Sequence, residues 1–259
     1  MDCVRIGFHL YLVNDNPDYL HWQRDEDYST FHVLNDDEVL YSSNCSEAVI
    51  SQFLENEVLA IILKKRGYFL LHASAVIVDK AAVVICGESG SGKSSLAALL
   101  ALKGANVLAD DLFVLEQTPE GHSSIMPISR KLRVDQSFIS MNNVPLENLG
   151  PFDEYSGKRR LSILEHRSSS LCYDKIVIIE LENNTNSQVS MSHLRGHQAL
   201  KSVFYHCPLP SLTLNEDDKI KRSRDVLSLL SYCSVYRLNR FNLTNDILIN
   251  RVNACINNY

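Results

Sequence analysis

Residues 81–102 read AAVVICGESGSGKSSLAALLAL, and this stretch decides the fold. Its apolar start, Ala81–Cys86, predicts a buried β-strand, and Ser95–Leu102 predicts a helix that Gly104 ends. Between them, Gly87–Ser94 matches the spacing G-x-x-x-x-G-K-[ST] of a phosphate-binding loop. Strand, loop and helix therefore follow one another in the order that such a loop takes in an α/β fold.

Each residue type in the loop has a chemical reason to be there. The glycines let the backbone curl until successive N–H groups point at phosphate oxygens. Lys93 can reach the β- and γ-phosphates, Ser94 can ligate Mg²⁺, and the N-terminal end of the following helix favours an anion. We therefore predict an ATP and Mg²⁺ site. The predicted nucleotide-binding residues are Gly87, Glu88, Ser89, Gly90, Ser91, Gly92, Lys93, Ser94 and Ser95.

Two further features are expected to join the loop. Asp110 and Asp111 end a predicted short strand, Asn106–Ala109, and carboxylates at the carboxyl end of a strand beside the loop strand would face the same crevice. They could hold Mg²⁺ or accept a proton from an attacking hydroxyl, or they could simply begin a surface turn. His72 lies in an apolar strand and is either a core histidine or a group near the reacting phosphate that orients the nucleophile.

Composition excludes several classes of function. The net charge is −6 and the pI is about 5.8, which argues against a nucleic-acid partner and a polybasic membrane surface. No apolar run approaches the ~18 residues of a membrane span, and the first 20 residues lack the pattern of a signal peptide. The seven cysteines are scattered without a C-x-x-C pair, so we expect reduced thiols in a cytoplasmic protein.

The pattern of apolar residues divides the chain into a β-rich N-terminal extension, residues 1–45, and one α/β domain, residues 46–259. Residues 112–165 are polar and broken, and they allow no firm assignment. The predicted strands are Val4–Val13, Tyr28–Leu34, Glu38–Ser42, Tyr68–Val78, Ala81–Cys86, Asn106–Ala109, Lys175–Glu182 and Ser234–Leu238. The predicted helices are Ser46–Arg66, Ser95–Leu102, His193–His206, Asp217–Tyr232 and Thr244–Asn257.

Three blocks in order, LHASAV at 71–76, GESGSGKSSL at 87–96 and VLADD at 107–111, resemble the catalytic domain of HPr kinase/phosphorylase. They resemble more closely the HPr-kinase-related serine kinases, including those encoded beside lasso-peptide biosynthesis genes. The resemblance implies a P-loop kinase with a mixed sheet similar to that of phosphoenolpyruvate carboxykinase. Residues 120–135 do not resemble the glycine-rich signature of HPr kinase/phosphorylases, so the resemblance implies neither HPr as substrate nor a reverse reaction.

The resemblance also implies roles for single residues. Asp110 matches the aspartate that takes the proton of the substrate hydroxyl, and Asp111 would help Ser94 to place the metal. His72 matches the histidine beside the reacting phosphate, and Lys93 would bind the phosphates of ATP. The basic residues Lys158 and Arg159 would be donors to the transferring phosphoryl group or to an acidic substrate, if they are not part of a solvated loop.

Three functions fit these features. The first is transfer of the γ-phosphoryl group of ATP to a Ser or Thr hydroxyl of a peptide or small protein, of which a ribosomal peptide precursor is one version. The second is a kinase for a small metabolite, and the third is a nucleotide-binding regulatory protein without turnover. The family resemblance also implies a homo-oligomer as one possible assembly.

Overall fold

A computed structural model gives the fold of most of the chain. It describes residues 3–7, 10–13, 16–35, 37–117, 123–128, 132–153, 156–161, 173–184, 191–208, 216–241 and 243–257. Parts of the predicted strand Val4–Val13 and of residues 112–165 lie outside these ranges. No helix in the described ranges is long and apolar enough to cross a membrane.

The N-terminal part is a β-sheet of five antiparallel strands arranged in chain order. The predicted strand Val4–Val13 is wrong as a single element because its described residues belong to two antiparallel strands, and the structure adds a third strand, Asn16–Arg24, that we did not predict. The strands are β1 Cys3–Gly7, β2 Leu10–Val13, β3 Asn16–Arg24, β4 Asp27–Val33 and β5 Val39–Ser43.

The predicted helix Ser46–Arg66 forms, with a π-helical turn in its middle. It consists of α1 Glu47–Phe53, the π turn Leu54–Val58 and α2 Leu59–Lys65. Its apolar side packs on the N-terminal sheet, and Phe53 contacts the rings of Trp22 and Phe31 at centroid distances of 5.4 and 5.6 Å. This helix and the sheet share an apolar cluster, although the predicted domain boundary at residue 45 lies between them. The boundary stays a prediction.

The rest of the chain forms a mixed α/β structure around a six-stranded sheet. Its strands are β6 Phe69–Leu71, β7 Ala73–Val78, β8 Ala81–Gly87, β9 Asn106–Ala109, β10 Phe113–Gln117, β11 Ser123–Met126, β12 Leu132–Asp135, β13 Leu149–Asp153, β14 Lys158–Leu161, β15 Lys175–Glu182, β16 Met191–Leu194 and β17 Cys233–Asn239. Its helices are α3 Lys93–Leu102, α4 Gln136–Met141, a 3₁₀ turn Leu146–Asn148, α5 His197–Tyr205, α6 Glu216–Leu230 and α7 Asn245–Asn257.

The large sheet has the order β16-β17-β15-β8-β7-β9. Strands β8, β15 and β17 are parallel, while β7 and β16 run antiparallel to their neighbours. Helices cover both faces: Val83 and Ile85 of β8 pack in the cluster that contains α3 and α7, and Ala82 and Val84 pack in the one that contains α5 and α6. This explains why Ala81–Cys86 is continuously apolar, since a strand buried on both faces needs no polar alternation.

Two predictions about elements are wrong in detail, and one stretch without an assignment proves to be structured. The predicted strand Tyr68–Val78 breaks at His72, so that β6 joins β10 and β11 in a second sheet while β7 stays in the large one. The predicted helix His193–His206 is a strand followed by a helix, because Gly196 turns the chain with φ of +53°. Residues 112–165 hold three further strands, β12, β13 and β14, which form a sheet of their own.

Candidate functional site

The glycine-rich loop connects β8 to α3 as the sequence predicts. Gly87, Gly90 and Gly92 have φ of +149°, +80° and +97°, values that L side chains rarely adopt. A Cβ on Gly87 would lie 2.6 Å from the carbonyl oxygen of Leu181 in the adjacent strand β15 and 2.5 Å from Ser91 Oγ. The loop can therefore turn this close to the sheet only with glycine at position 87.

Lys93 folds back into the curve of the loop. Its Nζ donates hydrogen bonds to the carbonyl oxygens of Gly87 at 2.9 Å and Glu88 at 3.1 Å, and the side chain is 6% exposed. Burial lowers the pKa of its ammonium group from the ordinary value. The ammonium group and the start of α3 thus place positive charge at the loop, as an anion site requires.

Asp110 is buried and holds three segments together through hydrogen bonds. Its Oδ1 accepts hydrogen bonds from Ser74 Oγ and Ser94 Oγ, both at 2.8 Å, and its Oδ2 accepts one from the backbone N–H of Arg133 at 2.9 Å. The expectation that its strand neighbours the loop strand is wrong, because β7 lies between β9 and β8. The carboxylate still bonds to Ser94 in the helix that follows the loop, and Ser74, on the intervening strand β7, donates to the same oxygen.

Asp111 takes a different position from Asp110. Its φ is +65°, in the left-handed region, and its side chain lines the cleft, where it forms an ion pair with the guanidinium of Arg133. Both partners are about one-fifth exposed. Of the two aspartates, Asp110 is therefore covered by hydrogen-bond donors and Asp111 faces the cleft.

His72 lies at the break between β6 and β7, where its backbone N–H donates to the carbonyl oxygen of His206 at 2.8 Å. Its ring lines the same cleft as Lys93. Desolvation by the surrounding protein, together with the charges of Lys93 and His206, lowers the pKa of His72 to about 4. The imidazole is therefore neutral at pH 7 and can accept or donate a hydrogen bond, as its tautomer dictates.

The cleft that contains these groups has a volume of about 850 Å³. Of the two predicted basic donors, Lys158 on β14 lines the cleft and Arg159 does not. Arg159 donates instead to the carbonyl oxygen of Gly150 at 3.0 Å, and its guanidinium lies 5.6 Å from the ring centroid of Phe152. The predicted substrate role of Arg159 therefore has no support from its position.

Sequence reasoning missed several residues that line the cleft. Arg240 follows β17, and its Nη1 donates to the carbonyl oxygen of Ser91 at 3.0 Å. Its position could have been found, because it stands at the carboxyl end of a strand parallel to β8. Arg133 and Glu57 carry no such signal, since they reach the cleft only through tertiary folding. The other polar residues missed at the cleft are Arg24, Gln52, Asn56, Asp135, Ser137, Asn142, Ser156, Asn183 and Asn245.

The donor set for a metal is small. Among the described ranges there is no group of three or more His, Cys, Asp or Glu side chains that could hold a metal ion. Ser94 Oγ and the carboxylate of Asp110 lie 2.8 Å apart and are oxygen ligands of the kind that Mg²⁺ takes. Since Mg²⁺ usually binds one or two carboxylates together with substrate phosphates and water, this pair fits Mg²⁺ delivered with a nucleotide.

Comparison with known proteins adds little to this geometry. No protein-family model matches the chain, and no curated protein matches it. Among solved structures, the HPr(Ser) kinase/phosphatase from Coxiella burnetii is similar over 73% of this chain and 94% of that chain, with 12% sequence identity and a TM-score of 0.33. At that TM-score the likeness assigns neither an activity nor a residue role to this chain.

Proposed function

We propose that this protein is an ATP-dependent kinase that transfers the γ-phosphoryl group to a Ser or Thr hydroxyl of a peptide or small protein. The observation that carries the proposal is the carboxylate of Asp110, which is hydrogen-bonded to Ser94 beside the loop that holds Lys93. A loop for phosphates, an oxygen pair for Mg²⁺ and a second aspartate in the same cleft are the parts that phosphoryl transfer needs. The resemblance of residues 71–76, 87–96 and 107–111 to HPr-kinase-related serine kinases supports the same conclusion.

The loop residues bind the nucleotide in this proposal. Backbone N–H groups of residues 89–94 and the ammonium group of Lys93 hold the phosphates, for which Lys93 exchanges its present contacts with the loop carbonyls. Ser94 and Asp110 hold Mg²⁺, which neutralises negative charge on the phosphates when it is bound. Arg240 adds a second cation next to the loop.

The proton of the attacking hydroxyl goes to Asp111 in this proposal, and Asp110 positions the metal. This exchanges the two roles that the family resemblance implies. The reason is geometric, because Asp111 lines the cleft and is oriented by Arg133, whereas Asp110 is buried and hydrogen-bonded to Ser94, the other proposed metal ligand. The neutral ring of His72 serves as a hydrogen-bonding group for the acceptor or the phosphate rather than as a cation.

A transfer assay tests the proposal. The purified protein is incubated with [γ-³²P]ATP and Mg²⁺ in the presence of a cell extract or an array of serine-containing peptides. We expect label on a polypeptide, with loss of transfer in Lys93→Ala and Asp111→Asn. Lys103→Ala is the matched control, because Lys103 is exposed at the other end of the same helix.

Three results would contradict the proposal in different ways. Tight ATP binding without any polypeptide label would reject it, and label on a small molecule would identify a metabolite kinase instead. Transfer that persists in Lys93→Ala would show that the label does not come from this site. We also propose a cytoplasmic protein, monomeric or homo-oligomeric, whose function involves neither nucleic acid nor membrane.

A further inference from the structure

The helix of residues 47–65 forms one wall of the cleft. The proposed kinase chemistry gives no role to this helix. Gln52, Asn56 and Glu57 of this helix all line the cleft. In a regular α-helix, at about 100° per residue, Glu57 would lie about 140° away from Gln52. The π turn Leu54–Val58 takes in an extra residue and brings both to the cleft side. Such π turns are rare and frequently occur at functional sites.

One oxygen of the Glu57 carboxyl group is buried without a hydrogen-bond partner in the described part of the protein. Its Oε2 has almost no exposed surface and makes no hydrogen bond. Burial raises the pKa of Glu57 to about 7, against the lowering effects of its own backbone N–H and the charge of Arg133. A buried carboxyl oxygen without a hydrogen bond is costly, so a group that donates to it on binding would gain affinity. Because Glu57 lines the cleft, rotation of the whole side chain can bring this oxygen to a donor that is bound there.

The charges around Glu57 indicate which kind of donor fits. Arg133 and Arg24 line the same cleft, and Asp111 is already paired with Arg133. The positive charge of these guanidinium groups would repel a cationic ligand at Glu57, whereas it would not repel an uncharged N–H or O–H group. The amide side chains of Gln52 and Asn56 add a donor and an acceptor each, which matches the alternating polar groups of a polypeptide backbone.

We propose that Gln52, Asn56 and Glu57 form the acceptor-binding wall of the cleft, where Glu57 accepts a hydrogen bond from an uncharged amide or hydroxyl group of the phosphoryl acceptor. The inference rests on the proposed function for the identity of the ligand as an acceptor. It goes beyond that function because it names the wall on which the acceptor lies and the chemistry that recognises it.

A binding experiment without turnover tests the wall. The probe is N-acetyl-L-serinamide, which carries a hydroxyl and two amides but no charge, titrated into the protein and followed by ligand-observed NMR. We expect Glu57→Gln, which keeps a carbonyl acceptor, to bind within about threefold of the natural protein. We expect Glu57→Leu to bind at least tenfold more weakly. N-acetyl-L-alaninamide shows which donor is used, because it keeps the amides and lacks the hydroxyl.

Glu55→Gln is the matched control. Glu55 lies in the same π turn but is exposed and paired with Arg160 at 3.0 Å, so its substitution should leave probe binding unchanged. Glu57→Leu removes an acid of which one buried oxygen makes no hydrogen bond, so this variant should fold, which the thermal midpoint checks.

Three results would overturn the inference. The first is failure of the natural protein to bind the probe at millimolar concentrations. The second is equal affinity of Glu57→Leu and the natural protein for the probe. The third is an equal loss of probe affinity in Glu57→Gln and Glu57→Leu, which would indicate that Glu57 recognises a cation. Tighter binding of L-serinamide, which carries an ammonium group, would support that last alternative against ours.

If the probe binds as expected but no phosphoryl transfer occurs, the proposed function fails while the binding wall stands. If transfer occurs and Glu57 variants leave the KM of the acceptor unchanged, the wall fails alone.

Discussion

Replacing each aspartate of the pair by asparagine should have unequal effects on stability. Asp110→Asn removes the charge from a buried group that accepts three hydrogen bonds, and bonds to a charged group contribute about 1.5–3 kcal/mol each. The amide oxygen can still accept from the N–H of Arg133, and the hydroxyls of Ser74 and Ser94 can rotate to accept from the amide nitrogen. We therefore expect a loss of about 2 kcal/mol in the free energy of unfolding rather than the full sum.

Asp111→Asn should cost less. The ion pair with Arg133 is partly exposed, and such pairs contribute at most about 1 kcal/mol. Asparagine also tolerates the left-handed backbone at this position, where φ is +65°. The expected loss is therefore under about 1 kcal/mol.

Urea unfolding at pH 7.5, followed by circular dichroism, measures both variants. With Mg²⁺ and ATP added, the natural protein should gain stability, by about 2.7 kcal/mol at a ligand concentration of 100 times Kd. Asp111→Asn should keep this gain and lose phosphoryl transfer, whereas Asp110→Asn should lose most of both. Equal destabilisation by the two variants would refute the reasoning, as would nucleotide stabilisation that survives in Asp110→Asn and disappears in Asp111→Asn.

Further predictions concern the loop, the buried acid and the missed arginine. Gly87→Ala should destabilise the protein by about 3 kcal/mol or more in urea unfolding, whereas Gly90→Ala, with open space around the position, should cost about 1 kcal/mol; equal costs would contradict the geometry of the loop. Because the folded-state pKa of Glu57 is raised from 4.5 to about 7, stability should fall by about 3 kcal/mol as the pH rises from 4.5 through 7. Glu57→Gln should remove this pH dependence from thermal midpoints measured between pH 4 and 8. An unchanged pH dependence would show that it arises from another group. Arg240→Ala should weaken MgATP binding about tenfold in calorimetry, since it removes a cation beside the loop, and an unchanged Kd would exclude the role given to it.

The parts of the fold that the sequence predicted are those in which the signal is local. Ala81–Cys86 and Lys175–Glu182 are apolar throughout because helices cover both faces of the sheet, and both strands were placed within a residue of their ends. The two residues between the predicted strands that end at Val78 and begin at Ala81 form the turn Asp79–Lys80, in which both residues have positive φ. The spacing of residues 87–94 is local in the same sense.

The parts that could not be predicted depend on tertiary contacts. Asp110 bonds to groups 16, 23 and 36 residues away in the chain, and no spacing in the sequence encodes that set. The run Tyr68–Val78 is almost uniformly apolar, so it gives no sign that the chain changes sheets at His72. The π turn that contains Glu57 also has no sign in the sequence, because periodicity analysis assumes a regular α-helix.

One measurement tests the central claim most directly. The protein is incubated with Mg²⁺ and serine-containing polypeptides in two reactions, one with ATP labelled on the γ-phosphorus and one with ATP labelled on the α-phosphorus. The account predicts label on a polypeptide from the γ-labelled nucleotide alone, and none from either nucleotide in Lys93→Ala. Label from the α-phosphorus would indicate nucleotidyl transfer, and absence of label from both in a protein that binds ATP would show that the cleft performs no transfer to a polypeptide. Either result would contradict the account.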